Sequence, residues 1–96
     1  MIQRFCFVKL TDFEAPDRDA IAGELRAELA EAGADAVVGL PADDSAARWD
    51  LAITITAASL QAWHALALTA PIVAIFEKLA ARAHVVKAWT FRDALH

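Results

Sequence analysis

The segment WDLAITIT, residues 49–56, decides the fold because it has the clearest strand pattern in the sequence. Its apolar residues Leu51, Ile53 and Ile55 stand two positions apart, and residues at that spacing share one face of a strand. The polar residues between and beside them are expected on the other face: Asp50, Thr54 and Thr56. The alternation predicts a strand that buries one side.

Three more segments have strand character and lie on either side of this one: residues 4–10 (RFCFVKL), 35–40 (DAVVGL) and 84–91 (HVVKAWTF). Each is rich in β-branched or aromatic residues, which favour strands. Two strands therefore precede residues 49–56 and one follows them.

The first helical element lies between the first two strands. Ile21, Leu25 and Leu29 recur at every fourth position and form one apolar stripe. Pro16 suits the first turn of a helix, and Gly33 suits the position just after its end. We therefore predict one helix that packs its apolar stripe against the sheet.

The second helical element contains a proline. Ser59 is a good N-cap for a helix that begins at Leu60, and Pro71 interrupts the apolar pattern. Thr69 is placed to cap a second segment in which the pattern resumes with Ile72. We predict that the proline divides one helical element into a short and a longer piece.

The predicted order is β-α-β-β-α-β, which is the order of the α+β ferredoxin-like fold. That fold has a four-stranded antiparallel sheet with both helical elements on one face. No repeat or long linker divides the chain, so we expect residues 1–96 to form a single domain.

The sheet face away from the helices carries large apolar side chains, and its predicted members are Phe5, Phe7, Val85, Trp89 and Phe91. An antiparallel sheet normally presents a polar back to water. We therefore expect a homodimer in which two sheets pack together. The predicted dimer interface consists of Phe5, Phe7, Lys9, Lys87 and Trp89. A buried ammonium group needs a counter-charge, and Asp50 is one candidate partner of the two lysines. The lysines could instead bind an anionic ligand inside the barrel, but a salt bridge at the rim of the dimer interface is favoured.

Composition excludes several function classes. The chain has 96 residues, 58% of them hydrophobic, and a net charge of −4 with acidic and basic residues interspersed. This predicts no nucleic-acid binding and no association with an anionic membrane. The start of the chain has no long apolar segment typical of a signal peptide, and the apolar run near Pro71 is too short to span a bilayer. The single Cys6 forms no intramolecular disulfide, so we expect a cytoplasmic protein.

Five segments carry a resemblance to a known family: MIQRFCFVKL (1–10), RWDLAITI (48–55), ASLQAW (58–63), TAP (69–71) and HVVKAWTF (84–91). Together they resemble the stress-responsive A/B barrel (Dabb) domain, a member of the dimeric α/β barrel superfamily. The resemblance covers nearly the whole chain. It implies a ferredoxin-like protomer and a homodimer whose two sheets close into a barrel.

Polyketide cyclases in this family use histidines and a tyrosine, and the resemblance places those sites on Arg4, Leu66, Thr69 and Ile72. None of these residues matches, and leucine and isoleucine cannot transfer a proton. The superfamily's cofactor-free quinol monooxygenases offer no closer polar cluster. The usual catalytic histidines are therefore absent.

Two residues remain as catalytic candidates, His64 and Arg4. A histidine has a suitable pKa for a general base, but His64 points about 100° away from the apolar stripe of its helix, so a surface or rim position is favoured. Arg4 is expected at the mouth of the space between sheet and helices, where it could bind a carboxylate or phenolate. The alternative is an arginine at a strand end whose head reaches solvent. The histidines, His64, His84 and His96, lack metal-ligand spacing, so no metal site is predicted.

The predicted ligand-binding residues flank the same sheet–helix space: Arg4, Cys6, Trp63, Leu66, Ile72 and Phe76. Cys6 is read as a small buried hydrophobe rather than a nucleophile. The preferred hypothesis is a module that binds a small apolar or aromatic molecule in this cleft or in the barrel, without a cofactor. The alternatives are a cofactor-independent enzyme and a dimer with a structural or regulatory role.

Overall fold

The strands and helices alternate along the chain in the predicted order. In the computed structural model, which describes residues 1–94, the elements are β1 (Ile2–Leu10), α1 (Arg18–Glu31), β2 (Asp35–Gly39), β3 (Leu51–Ala57), α2 (Leu60–Ala67), α3 (Ala70–Arg82) and β4 (Ala83–Arg92). Short 3-10 turns at Ala15–Asp17 and Asp44–Ala46 precede α1 and β3. His96 lies outside the described residues.

The four strands form one antiparallel sheet in the order β2-β3-β1-β4. Cys6 in the middle of β1 pairs with Ile53 on one side and with Ala88 on the other. The first and last strands are therefore neighbours, as the ferredoxin-like fold requires. The predicted α+β ferredoxin-like class is confirmed.

The helices cover one face of the sheet and form the core with it. Leu51, Ile53 and Ile55 on β3 are at most 1% exposed, which confirms the predicted orientation of the decisive strand. The helices contribute their own buried residues: Ile21, Ala22, Leu25, Leu29, Trp63, Ile72, Ile75 and Leu79. The stripe predicted for α1 is thus the side that packs on the sheet.

Pro71 divides the second helical element as predicted, because it lies in the first turn of α3 and the axes of α2 and α3 differ by 73°. Ser59 caps α2 by accepting a hydrogen bond from the amide of Ala62 at 3.0 Å. Thr69 occupies the N-cap position of α3 but does not cap it through its side chain; its hydroxyl donates to the carbonyl of Leu66 at 2.7 Å. In residues 1–94 no single helix is long and apolar enough to cross a membrane, and only the bent α2–α3 pair meets that criterion by length and composition.

The other face of the sheet, called the open face below, carries the predicted aromatic residues. Phe5 pairs with Trp89 across β1 and β4, and the ring of Phe5 packs edge-on against that of Phe91 with centroids 5.7 Å apart. Phe7 lies between Trp49 and Trp89, at 5.8 and 6.0 Å. No helix within residues 1–94 covers this face, and Trp89 and Phe91 remain 47% and 57% exposed.

Asp50, the candidate partner of the lysines on the open face, does not pair with them. Its carboxylate is buried, accepts a hydrogen bond from the amide of Leu10 at 2.8 Å and forms an ion pair with Arg18 at 3.3 Å. The pairing of β1 with β4 shifts between Lys9 and Leu10, which marks a β-bulge. Asp50 therefore satisfies an amide at the bulge and connects β1 to the start of α1.

Candidate functional site

A cleft of about 440 Å³ lies between the sheet and the second helical element. Its floor is the β1–β4 side of the sheet, and its walls are α2 and α3. The lining residues are Arg4, Cys6, Trp63, Ala67, Ile72, Val73, Phe76, Glu77, Ala80, Val86 and Ala88. We call this space the helix–sheet cleft.

Small side chains leave the cleft empty. Ala88 lies beside Cys6 on the floor, and Ala67 and Ala80 come from the two helices above. On the neighbouring part of the same face, β3 contributes leucine and isoleucine, which fill the equivalent space. A protein interior is otherwise close-packed, so a run of small residues in facing positions produces a cavity that a ligand can occupy.

Arg4 is the cationic group of the cleft. Its guanidinium lies 5.7 Å from the centroid of the Trp63 ring and donates a hydrogen bond to the hydroxyl of Thr90 at 2.9 Å. Within residues 1–94 it forms no ion pair. A guanidinium has five N–H donors in a fixed plane, so most remain available to an oxygen ligand. Trp63 is almost fully buried, and its ring gives this group a cation–π contact.

Cys6 lies on the floor of the cleft and is a free thiol. Burial raises its pKa, and the nearby positive charge of Arg4 offsets only part of that effect. The group is therefore a neutral thiol near pH 7 and a poor nucleophile. Among the described lining residues, the only ionisable group besides Arg4 and Cys6 is Glu77, which is exposed on α3. The described lining has no histidine to act as a general base.

The structure brings five of the six predicted ligand-binding residues together around the cleft: Arg4, Cys6, Trp63, Ile72 and Phe76. Leu66 does not line it; it is partly buried against the core on α2. His64 is exposed on the same helix and lies outside the cleft, in agreement with the favoured surface position. Of the two catalytic candidates, only Arg4 faces this space.

Sequence reasoning missed the contribution of β4 and the outer side of α3. Val86 and Ala88 lie on the floor, and Val73 and Glu77 lie on the helix side. The signal for β4 was present, because positions 86 and 88 alternate with Lys87 and Trp89 on the open face. No comparable signal identified Glu77, because it lies outside the apolar stripe of α3 and is exposed.

Among residues 1–94, no group of three or more His, Cys, Asp or Glu side chains is placed to hold a metal ion. The cleft instead offers apolar contact area, two aromatic side chains (Trp63 and Phe76) and one guanidinium. This combination suits a flat apolar molecule that carries an anionic group.

The chain matches no protein-family model and no curated protein sequence. It is similar in fold to several solved structures. One is a dimeric protein of unknown function with a ferredoxin-like fold from Bacteroides fragilis, with 17% identity and a TM-score of 0.75 over 96% of this chain and 95% of that one. Another is a protein from Arabidopsis thaliana, with 10% identity and a TM-score of 0.81 over 100% and 98%. A third, described as an antibiotic biosynthesis monooxygenase, has 8% identity and a TM-score of 0.71 over 99% and 100%. At these identities the likeness extends to the fold alone.

Proposed function

We propose that this chain is a single-domain protein of the Dabb type that binds a small apolar or aromatic molecule, with an acidic group, in the helix–sheet cleft. The observation that carries the proposal is the cleft of about 440 Å³, whose lining is mainly apolar. Its volume lies within the range of ligand sites, about 300–1,000 Å³. The guanidinium of Arg4 beside the Trp63 ring supplies the polar contact that would orient the ligand. The lone unpaired thiol of Cys6 supports a reducing, cytoplasmic setting.

Binding is preferred to catalysis because the described cleft offers no proton-transfer pair. The thiol of Cys6 is neutral, Glu77 is exposed, and His64 lies elsewhere. The alternative is a cofactor-independent enzyme, and one neighbour in fold is described as an antibiotic biosynthesis monooxygenase. Turnover of a quinol by the purified protein, abolished by Arg4→Ala, would favour that alternative.

The proposal can be tested with 2-naphthoate and its neutral amide as probes, monitored by quenching of tryptophan fluorescence. The wild-type protein should bind both, and Ala88→Leu, which fills the floor of the cleft, should weaken both at least roughly tenfold through steric exclusion. Ala65→Leu is the matched control, because Ala65 is exposed on α2 and lies outside the cleft. Unchanged binding by Ala88→Leu would place the ligand elsewhere and refute the proposal.

The contribution of Arg4 is separable with the same probes. Arg4→Gln should weaken binding of 2-naphthoate by roughly tenfold or more, because a charge-assisted hydrogen bond to a carboxylate is lost. Binding of the amide should change much less. Equal losses for the two probes would mean that Arg4 shapes the cleft without recognising an anionic group.

We further propose that the protein is a homodimer formed through its open face. Phe5, Phe7 and Trp89 form part of an aromatic surface that no helix of the described residues covers, and several neighbours in fold are described as dimeric. Exposed aromatic patches of this kind are typical of interaction sites. Lys9 and Lys87 lie at one end of the same face and would border the interface.

Sedimentation analysis at micromolar concentration should give twice the chain mass for the wild-type protein. The double change Trp89→Ser and Phe91→Ser should yield a folded monomer, because it removes the two most exposed aromatic rings of the open face. Leu68→Ser, at a residue between α2 and α3 that is even more exposed (82%), should leave the dimer intact. A wild-type monomer at this concentration would contradict the dimer.

A further inference from the structure

A second concavity, of about 400 Å³, lies on the other side of the sheet from the helix–sheet cleft. It is lined by Lys9, Arg48, Trp49, His84, Val85 and Lys87, and we call it the basic pocket. Three of its six lining residues are always cationic near pH 7, a fourth is a histidine, and none is acidic. The chain as a whole carries a net charge of −4, so the charge of this pocket is opposite in sign to that of the whole chain.

The basic side chains of the pocket have no counter-charge within the described residues. Arg18, Lys78 and Arg82 are paired with carboxylates, whereas Lys9, Arg48 and Lys87 form no ion pair in residues 1–94. Asp50, two residues after Arg48, is already bonded to Arg18 and to the amide of Leu10. Cations that are brought together without carboxylates repel one another, and a bound anion would relieve that repulsion.

The β-bulge explains how the pocket is assembled. Lys9 pairs with Val85 but Leu10 pairs with Ala83, so His84 is the extra residue of β4. Strict alternation would place His84 on the helix side with Val86, yet it lines the basic pocket with Lys87. A bulge redirects side chains in this way. Trp49 completes the site with an aromatic wall that contacts Phe7.

We propose that the basic pocket is a second binding site, which accepts a small molecule bearing a phosphate or carboxylate group. Lys9, Arg48 and Lys87 supply the charge-assisted hydrogen bonds to its oxygens, and Trp49 offers a flat surface for any attached ring. This inference is independent of the ligand proposed for the helix–sheet cleft. If a second copy covers the open face, the need for an anion grows, because cations that lose water require partners.

The test uses pyrophosphate and benzoate as the two probes, titrated into isotopically labelled full-length protein and followed by amide and indole NMR shifts. Saturable shifts should concentrate at Lys9, Arg48, Trp49, His84 and Lys87 for at least one probe. The double change Arg48→Gln and Lys87→Gln should weaken that binding at least roughly tenfold, since two charged contacts are lost. The stronger probe identifies phosphate or carboxylate as the preferred group.

The control removes the same charge elsewhere, through Arg26→Gln and Arg92→Gln, and should change the affinity by less than roughly threefold because only distant, screened charge is lost. The proposal is overturned if shifts spread over the whole surface, if neither probe binds, or if the control weakens binding as much as the test variant. It is also overturned if acidic side chains of a second copy occupy the pocket. Binding of 2-naphthoate at the helix–sheet cleft is read separately, at Trp63, so the two proposals can fail independently.

Discussion

The two faces of the sheet differ in how they are covered, although the same four strands form both. On the helix side, Ile53 and Ile55 are at most 1% exposed beneath the helices. On the open face, Trp89 and Phe91 expose about half of their surface. Two helical elements are enough to cover one side of a small sheet, and no part of residues 1–94 covers the other. The chain is therefore self-sufficient on one face and suited to an external partner on the other.

The helix-covered face is itself uneven. Its β3 side is filled by leucine and isoleucine, whereas the β1–β4 side carries Cys6 and Ala88 and contains the helix–sheet cleft. Stability and the proposed ligand binding thus depend on different parts of one face. The aliphatic part supplies the buried area, and the part with small residues supplies the cavity.

The comparison between the two faces predicts the largest loss of stability for a substitution in β3. Ile53→Ala removes a fully buried side chain and should lower the free energy of unfolding by about 2–5 kcal/mol. Thr54→Ala, one residue away on the open face, should cost about 1 kcal/mol or less. Urea denaturation of both variants measures the difference. Similar losses would show that the open face is as tightly covered in solution as the helix side.

Substitution of Asp50, which connects β1 to the start of α1, should have an intermediate effect on the free energy of unfolding. Asp50→Ala leaves the buried amide of Leu10 without its acceptor and should cost about 1–3 kcal/mol of unfolding free energy. Arg18→Ala, which removes the half-exposed partner and leaves the carboxylate bonded to the amide of Leu10, should cost less than Asp50→Ala. If the two variants are equally destabilised, the ion pair rather than the amide is the important contact.

The smallest expected effect is a change in the pH dependence of alkylation of Cys6, on the floor of the helix–sheet cleft. Only the thiolate of Cys6 reacts with iodoacetamide, and burial raises the pKa of this thiol. The alkylation rate of the folded protein should therefore rise to its plateau at higher pH than that of the urea-unfolded chain. Arg4→Gln should displace the profile further, because the nearby positive charge lowers this pKa. Mass spectrometry measures the rates, and coincident profiles for folded and unfolded protein would argue against a buried thiol.

Much of the candidate site followed from strand parity and helix spacing. Those patterns correctly placed Arg4 and Cys6 on the helix side and Phe5 and Phe7 on the open face, because alternation is a property of one strand. Leu66 is the one predicted ligand-binding residue that does not line the cleft. Its helix turns it toward the core, and the 73° angle between α2 and α3, which sets the walls of the cleft, has no signal in the local pattern.

The sequence by itself determined the strands, the divided helix and the aromatic open face, since each depends on short-range periodicity and the preferences of neighbouring residues. Only the tertiary structure decided the partner of Asp50, the position of His84 and the volume of the helix–sheet cleft. Each of these arises where residues far apart in the chain meet. A bulge or a gap between facing side chains depends on the exact register and size of both partners, which no single segment encodes.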